Sequence, residues 1–242
     1  ITSKNELILT LNYDGMRGEN FGGTTYLINA AVNAEMSPAS FGIPSGGWGG
    51  NRSLSNLPLS FADRSGNTDK RAMFYGTKLA TDDPGVFSDG LRITKFKNLS
   101  STGVAAPSVG GTMASLDFPL FRLAEQYLIY GEAVARGGIG GSQATALTYF
   151  NKLRERAYGN ASGNVTALNT NLFLEERARE LYWEGFRRTD LVRYGKFTDG
   201  SYLWPFKGGV KAGTALAETR NLFPIPTADL IANTNLVQNK GY

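Results

Sequence analysis

The sequence predicts a mainly α fold joined to long loops and short β-strands, and three observations carry that prediction. Residues 117–138, 146–160 and 173–195 repeat apolar side chains every three or four positions, the period of one helix face. Gly, Ser, Asn and Pro crowd residues 17–60, where no such period holds. Between these regions lie only short alternating or apolar runs of strand length.

The chain opens with a β-prone run at residues 6–11, with Leu7, Leu9 and Leu11 on one face, and Tyr13-Asp14-Gly15 marks a turn after it. Phe21, Tyr26, Phe41 and Trp48 are set into the irregular stretch that follows. A long segment of this kind is usually functional or disordered, and its aromatic content argues against disorder. Residues 71–79 and 91–96 read as short strands between turns. The first helix is expected to start at Asp117 as N-cap, with Pro119 in its first turn. Its stripe runs Leu120, Leu123, Ala124, Tyr127, Leu128 and Gly131, and Gly137-Gly138 ends it. Ser142 caps a second helix that buries Leu147, Phe150, Leu153 and Ala157 and stops at Gly159. These two make a helical hairpin of about TPR size. A third helix is expected from about residue 171 to about 187, with Phe173, Leu174, Arg177, Leu181 and Tyr182 inward and a shorter turn at 190–194. From Asn221 onward the chain reads as an irregular tail. The organisation is therefore a loop- and strand-rich region, 1–116, expected to bind ligand, and a helical region with its tail, 117–242.

Composition narrows the chemistry. A chain of 242 residues, 41% apolar and 19% charged, has ample material for a core. No apolar run is long enough to span a bilayer. The net charge of +4 is mild and dispersed, so no nucleic-acid partner is expected. The chain starts at Ile1 without Met, which reads as processing or as a piece of a longer protein. It has no Cys and no His, which removes thiol catalysis, Ser-His-Asp triads, structural zinc and imidazole acid-base chemistry.

Each remaining motif has a structural reading beside the functional one. The GGIGGS run at 137–142 lacks the Lys and spacing of a phosphate loop and follows a helix, so it reads as a turn. Asp63, Asn67 and Asp69 have the spacing of early calcium-loop ligands, but the Gly falls at position 4 and no Glu arrives at position 12. They read as a solvated turn. No cofactor is expected, though the chain leaves room for a structural calcium ion held by residues distant in sequence. Glu175, Glu176, Arg177, Arg179, Glu180, Glu184, Arg187, Arg188, Asp190 and Arg193 form the densest charge array, each carboxylate having an Arg three or four residues away. Such pairing keeps carboxylates ionised and suits structure better than acid-base work. The loop acids Asp14, Glu19, Asp82 and Asp83 show no pairing that marks a glycosidase.

Sugars present apolar C–H faces ringed by hydroxyls, so their sites combine an exposed aromatic plane with amide or Arg donors. The run 45–52, SGGWGGNR, answers that description: glycines clear the neighbourhood of Trp48, and Asn51 and Arg52 can donate. Phe21, in FGGTTY, offers a second face. Tyr26, inside TTYLINAA, is a weaker candidate and is expected to be buried. Exposure of Trp48 separates a glycan binder from a helical scaffold that binds only proteins.

Five phrases stand in order along the helical half. They are FRLAE…YL…EA…R (121–136), N..R.RA (151–157), ER..EL..EG.R..DL.R.G (176–195), FPIP (223–226) and QN.GY (238–242). In this order they closely resemble the C-terminal half of the SusD/RagB family, the glycan-binding lipoproteins of the Bacteroidetes outer membrane. The segments FGGTTYLINAA and GGWGG resemble the starch-binding members in particular. The resemblance implies a SusD-like fold with TPR-like hairpins and a non-catalytic receptor that delivers oligosaccharides to a SusC-like TonB-dependent transporter. It also implies an outer-membrane position, lipid-anchored through an N-terminal Cys that this chain lacks, and an N-terminal half of the same protein as a further partner. Trp48 is the position that best matches the family's aromatic arc, with Phe21 or Tyr26 second. A protein-binding scaffold and, more remotely, a carboxylate glycosidase are the alternatives.

Overall fold

A computed structural model describes residues 5–242. Its strands and helices run in the order β1 (Leu7–Leu11), α1 (Gly23–Asn29), β2 (Phe74–Tyr75), β3 (Arg92–Ile93), β4 (Phe118–Arg122), α2 (Leu123–Ala135), α3 (Gln143–Tyr158), α4 (Thr170–Leu181), α5 (Arg187–Arg193) and α6 (Thr227–Ala232). This is the mainly helical class that the spacing predicts. The chain divides into two units, Ile1–Glu184 and Gly185–Tyr242.

The first unit corrects the expected start of the helical half. Residues 118–122 form strand β4, antiparallel to β1 with Thr10 opposite Pro119 and Leu11 opposite Phe118. Pro119 is tolerated because the pair forms a two-stranded ribbon, so each strand has a free edge. Asp117 caps no helix; its carboxylate accepts the Tyr13 N–H at 3.0 Å. Helix α2 starts at Leu123, and the cap comes from far away in sequence. The Glu6 carbonyl accepts the Leu123 N–H at 2.8 Å, and the Glu6 carboxylate accepts that of Ala124 at 3.4 Å. Donors orphaned by the first helical turn are thereby satisfied. Leu120 consequently lies on the strand and not in the helical stripe. The apolar alternation of β1 does not make a buried face either: Leu9 and Leu11 are exposed.

Helices α2 and α3 form the predicted hairpin. The Ser142 hydroxyl accepts the Thr145 N–H and starts α3, which buries Ala146, Phe150, Leu153 and Ala157. Leu147 is only half-buried; Ala146 takes the place assigned to it. Helix α4 closes the core through Phe173, which meets Phe150 edge to face at 5.2 Å. Each of these fully buried rings contributes roughly 1.5–3 kcal/mol of burial. Gly131 is required in α2 because a Cβ there would stand 2.5 Å from the Phe173 ring. Helix α4 stops at Leu181, six residues before the expected end. Tyr182 is extended and Trp183 is left-handed (φ 63°), and the free carbonyls are taken by cations. The Glu180 carbonyl accepts from Lys95 and Arg122, and the Tyr182 carbonyl accepts from Lys95 at 2.8 Å.

Two further apolar clusters underlie the loop-rich part. Ile28, Val32, Met36, Phe41, Ile43, Ala114 and Leu116 pack beneath α1, with Phe96 at their margin. Phe61, Ala72, Ile93 and Tyr182 form the other, beside the β2–β3 pair.

In the second unit, the short turn expected at 190–194 is part of a longer helix, α5, which runs from Arg187 to Arg193 with Tyr194 as its C-cap. The tail is less irregular than expected, since α6 interrupts it. Its closing QN.GY phrase is laced to FPIP. Gln238 bonds both the N–H and the carbonyl of Ile225, Asn239 donates to the Phe223 carbonyl, and the Tyr242 hydroxyl donates to that of Leu222.

Candidate functional site

Three of the residues singled out in sequence present their rings at the surface of the first unit. Phe21 is 63% exposed, Trp48 45% and Tyr26 45%. The Phe21 and Trp48 ring centroids lie 5.9 Å apart with planes inclined at 53°, so the two faces are tilted against each other. The Tyr26 hydroxyl donates to Asn51 Oδ1 at 3.2 Å, which ties α1 to the Trp48 loop. The expectation that Tyr26 is buried is therefore corrected. On α1 the buried positions are Thr24, Thr25, Ile28 and Asn29, and Tyr26 falls on the opposite side.

The loop takes its form from backbone bonds to the end of α1. Trp48 N–H donates to the Asn29 carbonyl, Gly49 N–H to Val32 and Asn51 N–H to Ala30, at 2.9, 2.9 and 2.8 Å. The fully buried Asn29 side chain completes the joint. Its Oδ1 accepts the Gly47 N–H at 3.0 Å, and its Nδ2 donates to the carbonyls of Thr25 and Thr112. Gly47, Gly49 and Gly50 have φ of 92°, 69° and 124°, a region that costs other residues strain. The glycines thus serve the backbone path first, and the openness around Trp48 follows from it.

Arg52 sits beside the rings with its guanidinium engaged. Nε donates to the Asp89 carbonyl at 2.8 Å, one terminal nitrogen to Gly50 at 2.6 Å and the other to Pro84 at 2.7 Å. Phe21, Tyr26, Trp48, Asn51 and Arg52 are thus brought into one neighbourhood by residue-to-residue contacts, with Arg52 joined to the loop at 83–89.

The charge array on α4 is a buried network. Glu176 receives Arg71, Arg154 and Arg179 at 2.8, 2.7 and 2.7 Å. Glu180 pairs with Arg71, Arg122 and Arg156, and Glu184 with Arg122 and Lys95. Within the array, Arg179–Glu176 and Arg193–Asp190 are three-residue pairs of the expected kind; the remaining partners of Glu176, Glu180 and Glu184 named here come from distant elements. Burial pushes the Glu180 carboxyl up, but the guanidinium groups of Arg122, Arg156 and Arg71 outweigh it and hold the group below the usual carboxylate range. The same opposition, with Arg71, Arg179 and Arg154, keeps Glu176 low. A carboxylate held ionised in this way is a poor general acid.

A cavity of about 700 Å³, which sequence gave no sign of, opens beside this network and is lined in part by Lys95, Phe96, Arg122, Glu180, Tyr182 and Glu184. The charged groups of its floor are already paired with one another. None of the loop acids Asp14, Glu19, Asp82 and Asp83 lines it. Asp14 accepts the Met16 N–H, Asp83 accepts that of Gly85, and Asp82 pairs with Lys78 at 3.2 Å. The calcium-like spacing also resolves into local bonds. Asp63 accepts from Ser65 and Thr68, whose hydrogen bonds hold it below the usual range, and Asp69 pairs with Arg71. Among the described residues no group of three or more acidic side chains is arranged to hold a metal ion, and no helix is long and apolar enough to cross a membrane.

Comparison with known proteins matches the profile of the SusD family to residues 62–242. The starch-binding protein SusD of Bacteroides thetaiotaomicron is 34% identical, an alignment that covers 98% of this chain and 49% of that protein. Among solved structures, surface glycan-binding protein A from Bacteroides fluxus superposes with a TM-score of 0.68 at 22% identity, over 100% of this chain and 52% of its own. Surface glycan-binding protein A from Bacteroides thetaiotaomicron in complex with laminarihexaose gives a TM-score of 0.61 at 22% identity, over 97% and 52%. The chain spans about half the length of the curated relatives it matches.

Proposed function

This chain belongs to the SusD family, and from that footing we propose that it supplies the aromatic face of a non-catalytic glycan-binding receptor. The observation that carries the reading is the exposed pair Phe21–Trp48 beside Tyr26 and Asn51. Inclined rings accept the C–H faces of successive sugar units on a curved chain. Asn51, its oxygen engaged by Tyr26, offers amide N–H groups to sugar hydroxyls, and Arg52 keeps the loop in place. Exposure of the indole favours this reading over a scaffold for protein partners alone.

A glucan is the ligand class that the relatives support, since one is a starch-binding protein and one neighbour holds laminarihexaose, a glucose hexamer. An α-glucan such as starch is our first choice. We further propose that the full-length protein sits at the outer-membrane surface and passes oligosaccharides to a SusC-like TonB-dependent transporter. A glycan array probed with the full-length protein tests the ligand class. Retention on glucans supports it, and retention on no glycan rejects it. The same protein is expected to release no reducing sugar from starch or laminarin on prolonged incubation. Turnover that scales with protein and is lost on changing one of Asp14, Glu19, Asp82 or Asp83 would overturn the non-catalytic part.

A further inference from the structure

Backbone bonds from Trp48, Gly49 and Asn51 anchor the Trp48 loop at the end of α1, while the indole itself stands in solvent. Gly49 and Gly50 follow the indole directly, and glycine loses more freedom on ordering than any other residue. Any freedom that those anchors leave to the ring would have to be removed by the ligand, at the expense of affinity. The structure contains a prop for it. The Phe87 ring lies 3.6 Å from the point where a Gly49 side chain would begin, so it fills the space under the hinge.

Phe87 is itself held from two sides. The Arg52 guanidinium stands 5.9 Å from its centroid and the Arg92 guanidinium 5.4 Å. Arg92 is buried, lies 4.9 Å from the Tyr75 ring and reaches Glu35 at 3.3 Å, just beyond the end of α1. Arg52 bridges the two loops, with one nitrogen on the Gly50 carbonyl and the others on the carbonyls of Asp89 and Pro84. The loop that carries Phe87 is pinned in turn. The Asp89 carboxylate accepts from Lys78 Nζ at 2.8 Å and from the Asp83 N–H at 3.0 Å, and Leu91 accepts the Ser53 N–H at 2.8 Å.

We propose that Phe87 is a positioning residue for the glycan site: it fixes the Gly49 hinge from below and so presents Trp48 ready to bind. The proposal rests on the glycan-binding reading. Phe87 acts through Gly49 and Arg52 and needs no contact with the sugar. Its removal frees the indole in the unliganded state, and the affinity loss is the cost of ordering the ring again.

The experiment compares wild type, Phe87→Ala, Phe87→Leu and Trp48→Ala in the full-length protein, with maltoheptaose and laminarihexaose as probes. Calorimetry gives the affinities, and ¹⁹F NMR of 5-fluorotryptophan-labelled protein reports the Trp48 signal, assigned through Trp48→Phe. Phe87→Ala is expected to weaken binding about three- to tenfold. It is also expected to shift and broaden the free Trp48 signal, while the bound signal returns to the wild-type position. Phe87→Leu, which refills the space, restores most of both. A Phe87→Ala protein with wild-type affinity, or with weakened binding and an unaltered free Trp48 signal, overturns the proposal while a loss in Trp48→Ala leaves the glycan site standing. If Trp48→Ala also binds as wild type does, both readings fall.

Discussion

The aromatic loop at residues 21–52 and the charged face of α4 lie in the same unit, yet they are assembled in opposite ways. The loop is held by backbone N–H groups and one buried amide, and it leaves its largest side chains in solvent. The α4 face is held by its side chains, with Glu176 and Glu180 each surrounded by guanidinium groups drawn mostly from other elements, and both carboxylates are buried. Charge density put α4 among the segments weighed for chemistry, and the Arg three or four residues from each carboxylate already favoured a structural role. Burial and pairing show that those groups have no capacity left for a ligand. In this unit the potential for function lies where side chains remain uncommitted.

The contrast is sharpest under deletion. Glu180→Ala leaves Arg71 and Arg122 buried with part of their charge unmatched, and is expected to cost about 3–5 kcal/mol of stability. Chemical denaturation of the full-length protein checks it. A wild-type midpoint with lost glycan binding would turn the network into a site. Acid should act through the same groups. Glu180 and Glu176 have folded pKa values below the unfolded value of about 4.3, so their contribution is complete above that value and is lost as pH falls below it. Thermal melting against pH should show this acid loss. This chain has no His, so its own contribution to glycan affinity should stay level across the neutral range.

Asn29 is where the two modes meet, since it is buried like the α4 carboxylates but serves the loop. Asn29→Ala strands the Gly47 N–H and two carbonyls, and is expected to cost about 1–3 kcal/mol of stability together with part of the affinity. A change in melting with no change in affinity would separate the joint from the site. The smallest expected effect is at the edge of the platform. Phe21→Ala removes the inclined partner of Trp48 and should reduce affinity by about 0.5–1.5 kcal/mol, with melting unchanged. Calorimetric titration reads it directly, and an unchanged affinity would confine the site to Trp48.

The helices were legible because their core faces repeat locally. Phe150, Leu153, Phe173 and Leu181 needed nothing outside their own segments to be recognised. The ends of α3 were legible in the Ser142 cap and the Gly159 stop, but the start of α2 and the end of α4 were not, because distant groups decide them. Glu6 caps α2 from over a hundred residues away, and Lys95 with Arg122 takes the last carbonyls of α4. At the site, the glycines around Trp48 gave a correct pointer to an exposed ring. Tyr26 was hidden by its apolar neighbours, since only the packed α1 shows which side of TTYLINAA faces inward. Phe87 and Arg71 carry no local signal, as their roles exist only through contacts made across the fold.

Titration of Trp48→Ala beside the wild type tests the central claim most directly, with maltoheptaose as ligand, the full-length protein in the cell and a thermal melt of each sample. A ring that binds but does not hold the fold should lose about 1–3 kcal/mol of affinity while the melting temperature stays at its wild-type value. A dissociation constant unchanged by the substitution, against a glycan the wild type binds, would contradict it.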